Sequence, residues 1–253
     1  MTTPELIAVI PAAGQGSRLG TTTPKLFVEV KNGLRICDIL LARVATVTRH
    51  VHLVLSPEAR DHFEAVGRPA PPGVRVTCSV QQGPRGMGDA VFGARGHWGT
   101  ARHVLIVWGD HLGVSATTLS RTVARQCGST APSMTLPLVR RQAPYVHYEL
   151  NDTGTLLRVA QAREGDACPP HGLSDVGTFA VSTAGLDAAW QRYSSLPEAR
   201  GARSGEINLV PFFAHLARRE AFAVQIVEVA DAAEARGVNT PEDLAYFRAA
   251  LGS

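Results

Sequence analysis

The stretch that most constrains the fold lies near the start of the chain, where an apolar run passes into a glycine-rich segment. Residues 6–10 contain no charged side chain, which predicts a buried strand. Gly14 and Gly16 follow, and glycines let backbone N–H groups come close enough to surround phosphate oxygens. Arg18 and Lys25 add two positive charges, one planar and one compact. The stretch therefore predicts a strand that delivers a polyphosphate-binding loop.

The glycine spacing excludes the two commonest phosphate-binding motifs. A dinucleotide fingerprint requires a third glycine where Leu19 stands, and a Walker loop requires Ser or Thr where Leu26 follows Lys25. A tight turn with incidental surface cations is the alternative without a ligand. Residues 12–19, followed by Pro24 and Lys25, instead match an A-A-G-x-G-[ST]-R-[LM] run with a later P-K pair. In this order of residues the chain resembles the sugar-nucleotide pyrophosphorylases and their nucleotidyltransferase relatives.

Composition narrows the class of protein. The chain has 253 residues, 45% of them hydrophobic and 19% charged, which is typical of a globular protein with a substantial core. A net charge of +3 with scattered basic residues does not favour a nucleic-acid partner. No signal peptide or membrane-spanning run is evident, and four widely spaced cysteines favour reduced thiols. We therefore expect a cytoplasmic protein without a membrane partner.

Strand-like and helix-like patterns alternate along most of the chain, which predicts an α/β fold. Ser56, which precedes Pro57, and Ser115 are expected to cap helices, and a further helix is expected over residues 207–219.

We expect a Rossmann-like (GT-A-like) three-layer sandwich with a mostly parallel central sheet, in one domain covering residues 1–253. Between residues 134 and 181 the patterns are mainly strand-like, with a hairpin turn at residues 151–154. This block predicts a small β extension that closes over one end of the sheet, where an acceptor substrate would bind.

Polar residues follow several of the predicted strands. Ligands bind at the carboxyl ends of strands in open α/β sheets, so Gln81, the glycine loop at residues 83–88, and Asp110 should converge on one edge. A carboxylate such as Asp110 suits a hard cation or a sugar hydroxyl, and a helix-capping or loop carboxylate is the less favoured alternative. Asn239 alone reads as a turn residue before a helix.

The resemblance assigns more definite roles. Residues 85–90, 108–112, 205–206 and 236–239 look like the L-G-T-G-H-A, Y-G-D-V-P-L, G-E and E-G-V-N motifs of the nucleoside-diphosphate-sugar pyrophosphorylases, particularly of uridyltransferase domains that form UDP-N-acetylglucosamine. By that resemblance Asp110 and Asn239 would hold Mg²⁺, while Arg18 and Lys25 would bind the phosphates and carry the catalysis. The nucleotide-binding residues that it implies are Pro11, Ala12, Ala13, Gly14, Gly16, Ser17, Gln81, Gly86 and Met87.

Departures from the family pattern concern the nucleobase and the acceptor. Met87 stands where the family has a threonine that contacts the base, so the preference for uracil is open. Val146, Gln161 and Asp175 replace acceptor-binding glycine, glutamate and asparagine residues. The resemblance also implies acceptor contacts by Tyr145 and Glu206, and Trp108, next to Asp110, would form a wall of that pocket. We therefore expect an acceptor other than N-acetylglucosamine 1-phosphate.

The chemistry that the resemblance implies is transfer of a nucleoside monophosphate from a nucleoside triphosphate to a phosphorylated small molecule, with release of pyrophosphate. A sugar 1-phosphate or a related compound is the first expectation for the acceptor, and a cytidylyltransferase acting on a phosphonate or a phosphocholine-like compound is the alternative. A nucleotide-binding regulatory domain without turnover is a rival from another class. It would be expected to lose Lys25 or Asp110, and both are present. A homo-oligomer is left open.

Overall fold

An eight-stranded sheet forms the middle of the molecule, in a computed structural model that describes residues 5–14, 19–67, 69–83 and 85–251. The strands among these residues are β1 Leu6–Ala12, β2 Glu29–Lys31, β3 Leu34–Arg35, β4 His50–Leu55, β5 Arg75–Val80, β6 His103–Val107, β7 Ser133–Gln142, β8 Val146–Leu150, β9 Leu156–Gln161, β10 His171–Asp175, β11 Thr178–Ser182 and β12 Ala223–Val229. The helices are α1 Ile36–Val44, α2 Pro57–Ala65, α3 Met87–Gly93, α4 Arg95–Trp98, α5 Ala116–Cys127, α6 Leu186–Ser194, α7 Val210–Arg219 and α8 Pro241–Ala250.

The sheet is mostly parallel. β1 lies between β4 and β6 and is parallel to both, and β5 continues the sheet beyond β4. On the other side, β11 is antiparallel to β6 and β7, and β10 is antiparallel to β7. β12 pairs with the remaining edge of β7 in parallel orientation. The carboxyl ends of β1, β4, β5, β6, β7 and β12 therefore point in the same direction.

Side chains of β1, the strand between β4 and β6, alternate between two apolar clusters, one on each face of the sheet. Ala8 and Ile10 belong to the cluster with α1, α2, α5 and α8. Ile7 and Val9 belong to the cluster with α3, α4, α6 and α7. Helices thus cover both faces, which confirms the expected α/β three-layer sandwich.

The sequence interpretation was wrong about the extent of the β extension. Of the strands in this block, β7, β10 and β11 are part of the central sheet, whereas β8 and β9 form a two-stranded sheet of their own. Within this block Gly177 has a φ of +70° and separates β10 from β11, so β11 begins at Thr178. Asp175 therefore ends a strand instead of preceding one.

Helix ends follow local capping chemistry. Ser56 and Ser115 accept hydrogen bonds from backbone N–H groups at the starts of α2 and α5, as the sequence predicted. α7 begins at Val210, later than the expected residue 207, because Pro211 occupies its first turn and Ile207 forms a β-bridge with Arg200.

Candidate active site

The site begins where β1 and β6 end side by side. Val9 is in register with Ile106, so Ala12 at the end of β1 and Gly109 just after β6 emerge together. A Cβ on Gly109 would stand 2.8 Å from Cβ of Ala12, which is closer than two carbon atoms can pack. Glycine at position 109 therefore lets the loop that carries Asp110 approach the loop that follows β1.

Lys25 reaches this edge from a short 3₁₀ turn, Lys25–Phe27. Pro24 precedes the turn, and the buried side chains of Leu26 and Phe27 anchor it in the core. Nζ of Lys25 donates to Oδ2 of Asp110 at 2.8 Å and to Oδ1 of Asn239 at 3.0 Å. The fold thus brings together three of the sequence-predicted site residues from distant parts of the chain.

Asp110 is ionised in this environment. Burial alone would raise the pKa of its carboxyl, but the hydrogen bond from His111 and the charge of Lys25 outweigh burial and hold that pKa below its usual value. About 23% of the Asp110 side chain remains exposed, so the carboxylate is reachable from solution.

Asn239 is placed by the segment that precedes α8. The backbone N–H of Val238 donates to the carbonyl of Asp110 at 2.8 Å, which fixes the two loops against each other. Thr240 and Asp243 then form a capping box that starts α8, and Asp243 also accepts the backbone N–H of Asn239. The orientation of Asn239 therefore follows from helix capping chemistry.

His111 is a functional candidate that the sequence interpretation missed. Its Nδ1 donates to Oδ1 of Asp110 at 3.1 Å, on the carboxylate oxygen that Lys25 does not use. Its ring lies against Gly177, where any Cβ would overlap the imidazole, and 3.3 Å from the position that a Cβ on Gly237 would take. Burial would lower the pKa of His111, but the hydrogen bond and charge of Asp110 raise it. Adjacency to Asp110 was the sequence signal for it.

The predicted nucleobase loop forms a second group. Gln81, after β5, donates through Nε2 to the carbonyl of Gly86 at 3.2 Å and to Oδ2 of Asp89 at 2.8 Å. Gly86 has a φ of +105°, and a Cβ there would meet the carbonyl of Ile207 at 2.7 Å. Met87 begins α3. The sequence interpretation missed Asp89, whose carboxylate accepts a hydrogen bond from the Gln81 amide in this structure.

The predicted acceptor residues lie on several elements. Val146 and Gln161 are cross-strand partners in the β8–β9 hairpin, next to the exposed Tyr145. Asp175 is buried at the end of β10, and its Oδ1 accepts the N–H of Gly177 at 2.7 Å. Trp108 is half-buried after β6, with its ring edge-on to that of Phe179.

Glu206 is engaged within the protein. Nη2 of Arg163 donates to its Oε2 at 2.5 Å, and Nε of Arg163 donates to Glu164 at 2.9 Å. Glu164 is buried and also accepts from Oγ of Ser204 at 2.7 Å. Arg163 and Glu164 were not singled out from the sequence, although they closely follow Gln161.

The phosphate loop is only partly visible. Pro11 and Ala12 end β1, and Ala13 and Gly14 follow it without regular secondary structure. The predicted contributions of Gly16, Ser17 and Arg18 lie outside the described residues.

The chemistry of the donor set fits a hard cation at Asp110 and Asn239. A carboxylate oxygen and an amide oxygen are both within 3.0 Å of the Lys25 ammonium, so they already face a common positive charge.

Glu5, His103 and Cys127 also bring potential ligand atoms within 4.8 Å of one another. The amide nitrogen of Gln126 lies 3.2 Å from Nδ1 of His103. Because an amide N–H can only donate, Nδ1 of His103 is the acceptor of this hydrogen bond. Nε2 of His103 then carries the proton, which argues against a metal at that place.

Comparison with known proteins decides the family. Residues 8–172, about two thirds of the chain, match the family described as MobA-like NTP transferase domain. The chain belongs to this family. Its members are nucleotidyltransferases, and the resemblance inferred from the glycine loop is confirmed at this level.

The curated relatives include bifunctional GlmU proteins. The chain is 30% identical over 248 residues to that of Acidithiobacillus ferrooxidans, with 94% of this chain and 50% of the relative covered. It is also 30% identical over 248 residues to that of Acidiphilium cryptum, with 97% and 53% covered. The chain thus spans about half the length of these relatives.

A solved structure supports the fold. The 4-diphosphocytidyl-2C-methyl-D-erythritol synthase of Anaerococcus prevotii superposes with a TM-score of 0.67 at 14% identity, with 100% of both chains covered. None of the helices in the described part of the chain is long and apolar enough to cross a bilayer.

Proposed function

We propose that this chain transfers a nucleoside monophosphate from a nucleoside triphosphate to a phosphorylated small-molecule acceptor and releases pyrophosphate. The observation that carries the proposal is the position of Lys25, whose ammonium lies between Asp110 and Asn239 beside the end of β1. Membership of an NTP transferase family supports the same class of reaction. This is chemistry of the pyrophosphorylase type.

The reaction is a single in-line displacement. A phosphate oxygen of the acceptor forms a new bond to the α-phosphorus, the bond from that phosphorus to the bridging oxygen breaks, and pyrophosphate leaves with the electron pair. No general base is needed, because a phosphate monoester is largely dianionic at neutral pH. The chain therefore has to position two anions and offset their repulsion.

Lys25 is suited to that task. In this structure its charge is balanced by Asp110, and a triphosphate at the loop after β1 would compete for the ammonium. We propose that Lys25 binds phosphate oxygens during transfer, together with Arg18. Backbone groups of residues 11–14, with Gly16 and Ser17, would complete the phosphate cradle.

Asp110 and Asn239 would hold Mg²⁺, for which their oxygens are appropriate ligands. When bound there, Mg²⁺ supplies further neutralisation of the triphosphate charge. His111 holds the second oxygen of Asp110 and so fixes the orientation of the carboxylate.

The acceptor is proposed to lie among Trp108, Tyr145, Val146, Gln161 and Asp175. Glu206 would act there through Arg163, to which it is bonded. Since Gln161 and Asp175 differ from the family pattern, we propose an acceptor other than N-acetylglucosamine 1-phosphate, such as another sugar or a cyclitol phosphate. Gln81, Gly86 and Met87 would contact the base.

A screen for pyrophosphate release tests this function. ATP, CTP, GTP and UTP would each be paired with sugar 1-phosphates, a cyclitol phosphate, phosphocholine and an alkylphosphonate, and products identified by mass spectrometry. For at least one pair we expect pyrophosphate release that requires both substrates. UTP with N-acetylglucosamine 1-phosphate is expected to be a poor substrate pair. Nucleotide binding without release from any pair would contradict the proposal and favour a regulatory domain.

We further propose that residues 1–253 act as one domain in the cytoplasm. Both apolar clusters share the central sheet, which supports a single folding unit. Cys37, Cys127 and Cys168, all in the described ranges, are free thiols, as is usual in a reducing compartment.

A further inference from the structure

A cavity of about 430 Å³ lies between β9, α7 and the segment that connects α6 to α7. Its volume is within the range of small-molecule sites. Lys25, Asp110 and Asn239 do not line it, whereas Gln161, one of the predicted acceptor residues, does. The cavity is therefore distinct from the phosphate-binding cluster and adjoins the acceptor side.

Two buried amide side chains form the inner wall of the cavity. Gln161 is 7% exposed, and its carboxamide makes no hydrogen bond with the described residues. Asn208 is also 7% exposed, and its Oδ1 accepts from Arg163 at 3.3 Å, while its side-chain N–H groups bond to none of the described residues. Buried amides normally have partners. Both residues line the cavity, and their amide N–H groups can bind hydroxyl or phosphate oxygens.

Positive charge predominates at the mouth of the cavity. Arg158 is paired with Asp166 and contributes little net charge. Among the described residues, Arg200 and Arg218 donate only to backbone carbonyls, of Gly205 at 3.3 Å and of Leu157 at 3.4 Å.

Arg219 forms no ion pair within the described part of the chain, and Glu198 is the one lining carboxylate there without an ion-pair partner. Three arginines thus face one glutamate, which leaves a net positive field at the mouth.

Helix capping does not account for this arrangement. Arg218 and Arg219 end α7, where cations stabilise the helix dipole. Arg200 lies on a different element, ten residues before that helix begins, yet lines the same cavity. The convergence of cations from two elements on unpartnered amides indicates a ligand with both an anionic and a hydroxyl-bearing part.

We propose that this cavity binds a small hydroxylated molecule through its phosphate or carboxylate group, with the anion at Arg200, Arg218 and Arg219. The oxygen-rich body of the ligand meets Gln161 and Asn208. The ligand is either the far end of the acceptor, which rests on the proposed function, or a separate anionic effector. Both sources share the same recognition chemistry.

Calorimetric titration with inorganic phosphate tests the site in the full-length chain. The Lys25→Ala variant serves as the background, because it removes one of the two cations, Lys25 and Arg18, that are proposed to bind phosphate at the other cluster, and the arginine variants are compared within that background. Adding Arg218→Gln and Arg219→Gln is expected to weaken phosphate binding at least tenfold, since charge-assisted contacts are lost. Arg125→Gln, an exposed arginine on α5 that does not line the cavity, is the matched control and should leave binding unchanged.

Equal binding by the double variant and the control, or no phosphate binding in the Lys25→Ala background, would overturn the proposal. This readout needs no turnover, so it stands or fails separately from nucleotidyl transfer. Steady-state kinetics of the Arg218→Gln, Arg219→Gln variant with Lys25 intact then distinguishes the far end of the acceptor from a separate effector. A raised KM for the acceptor alone identifies the acceptor end, whereas loss of a rate response to added phosphate, with an unchanged acceptor KM, identifies an effector.

Discussion

Lys25 and Asp110 are 85 positions apart in the chain, yet Nζ of the lysine lies 2.8 Å from Oδ2 of the aspartate. Asn239, a further distant residue, completes the contact at 3.0 Å. The three residues come from the 3₁₀ turn after the phosphate loop, the loop after β6 and the segment that precedes the cap of α8. Their meeting depends on the whole sheet being assembled, which makes the cluster sensitive both to direct substitution and to changes in how the loops pack.

The metal site is tested first by Asp110→Asn. Removing the carboxylate charge is expected to weaken Mn²⁺ binding, as a stand-in for Mg²⁺, at least tenfold, and to lower turnover by about 10²–10³. Electron paramagnetic resonance of free Mn²⁺ measures the binding on the protein alone. Asp61→Asn, an exposed aspartate on α2, is the control. Unchanged Mn²⁺ binding in Asp110→Asn would remove this residue from the metal site.

His111→Val tests the positioning of Asp110. The valine cannot donate to Oδ1, so the carboxylate keeps only the Lys25 contact among the described side chains. We expect kcat to fall about tenfold, the equivalent of one hydrogen bond to a charged group. His111→Asn, which retains a short N–H donor, should recover part of the loss. Identical kcat values for both variants and the wild type would show that His111 does not orient the carboxylate.

Gly109→Ala tests the close approach of the two loops. The added methyl group would stand 2.8 Å from Cβ of Ala12, so the segment carrying Asp110 must shift. We expect a loss of about 1–3 kcal/mol in the free energy of unfolding and a larger relative loss of activity. Gly96→Ala, where a Cβ meets nothing within 4 Å, is the matched control. Chemical denaturation and pyrophosphate release measure the two effects, and equal behaviour of both variants would contradict the packing argument.

Glu164 gives a prediction about pH. Burial alone would raise the pKa of Glu164. Hydrogen bonds from Ser204, from the guanidinium of Arg163 and from the backbone N–H of Arg203 instead lower that pKa to about 2. Because the folded pKa is below the unfolded value of about 4.3, the stabilisation is present above pH 4.3 and is lost as pH falls towards 2. Glu164→Gln should therefore lower the free energy of unfolding by about 1–3 kcal/mol at pH 7.

The difference between Glu164→Gln and the wild type should narrow between pH 5 and pH 2, measured by urea denaturation across that range. Glu228→Gln removes an exposed carboxylate on β12 and should show no such trend. A constant difference at every pH would mean that Glu164 contributes by packing and not by its charge.

The sequence predicted the central features because they depend on short-range patterns. The buried strand before Gly14, the serine caps of α2 and α5, and the polar residues after β5 and β6 follow from local chemistry. Asp175 was harder to place, since the edge strand β10 begins with the weakly strand-forming pair His171 and Gly172.

The contacts among site residues could not be read from the sequence. The ion pair of Glu206 with Arg163 and the bond of Gln81 to Asp89 depend on tertiary packing, which no spacing of residues specifies. His111 gained its significance only when the fold placed it between Gly177 and Gly237.

The central claim is that Lys25 carries phosphate charge during nucleotidyl transfer. Steady-state pyrophosphate release with the best substrate pair, compared among wild type, Lys25→Ala and Lys31→Ala, tests it most directly, because Lys31 is the only other lysine in the chain. We predict that Lys25→Ala retains the folded state by circular dichroism and loses at least 10²-fold in turnover, as expected when a transition-state charge contact is removed, while Lys31→Ala matches the wild type. Wild-type turnover in Lys25→Ala would contradict the account.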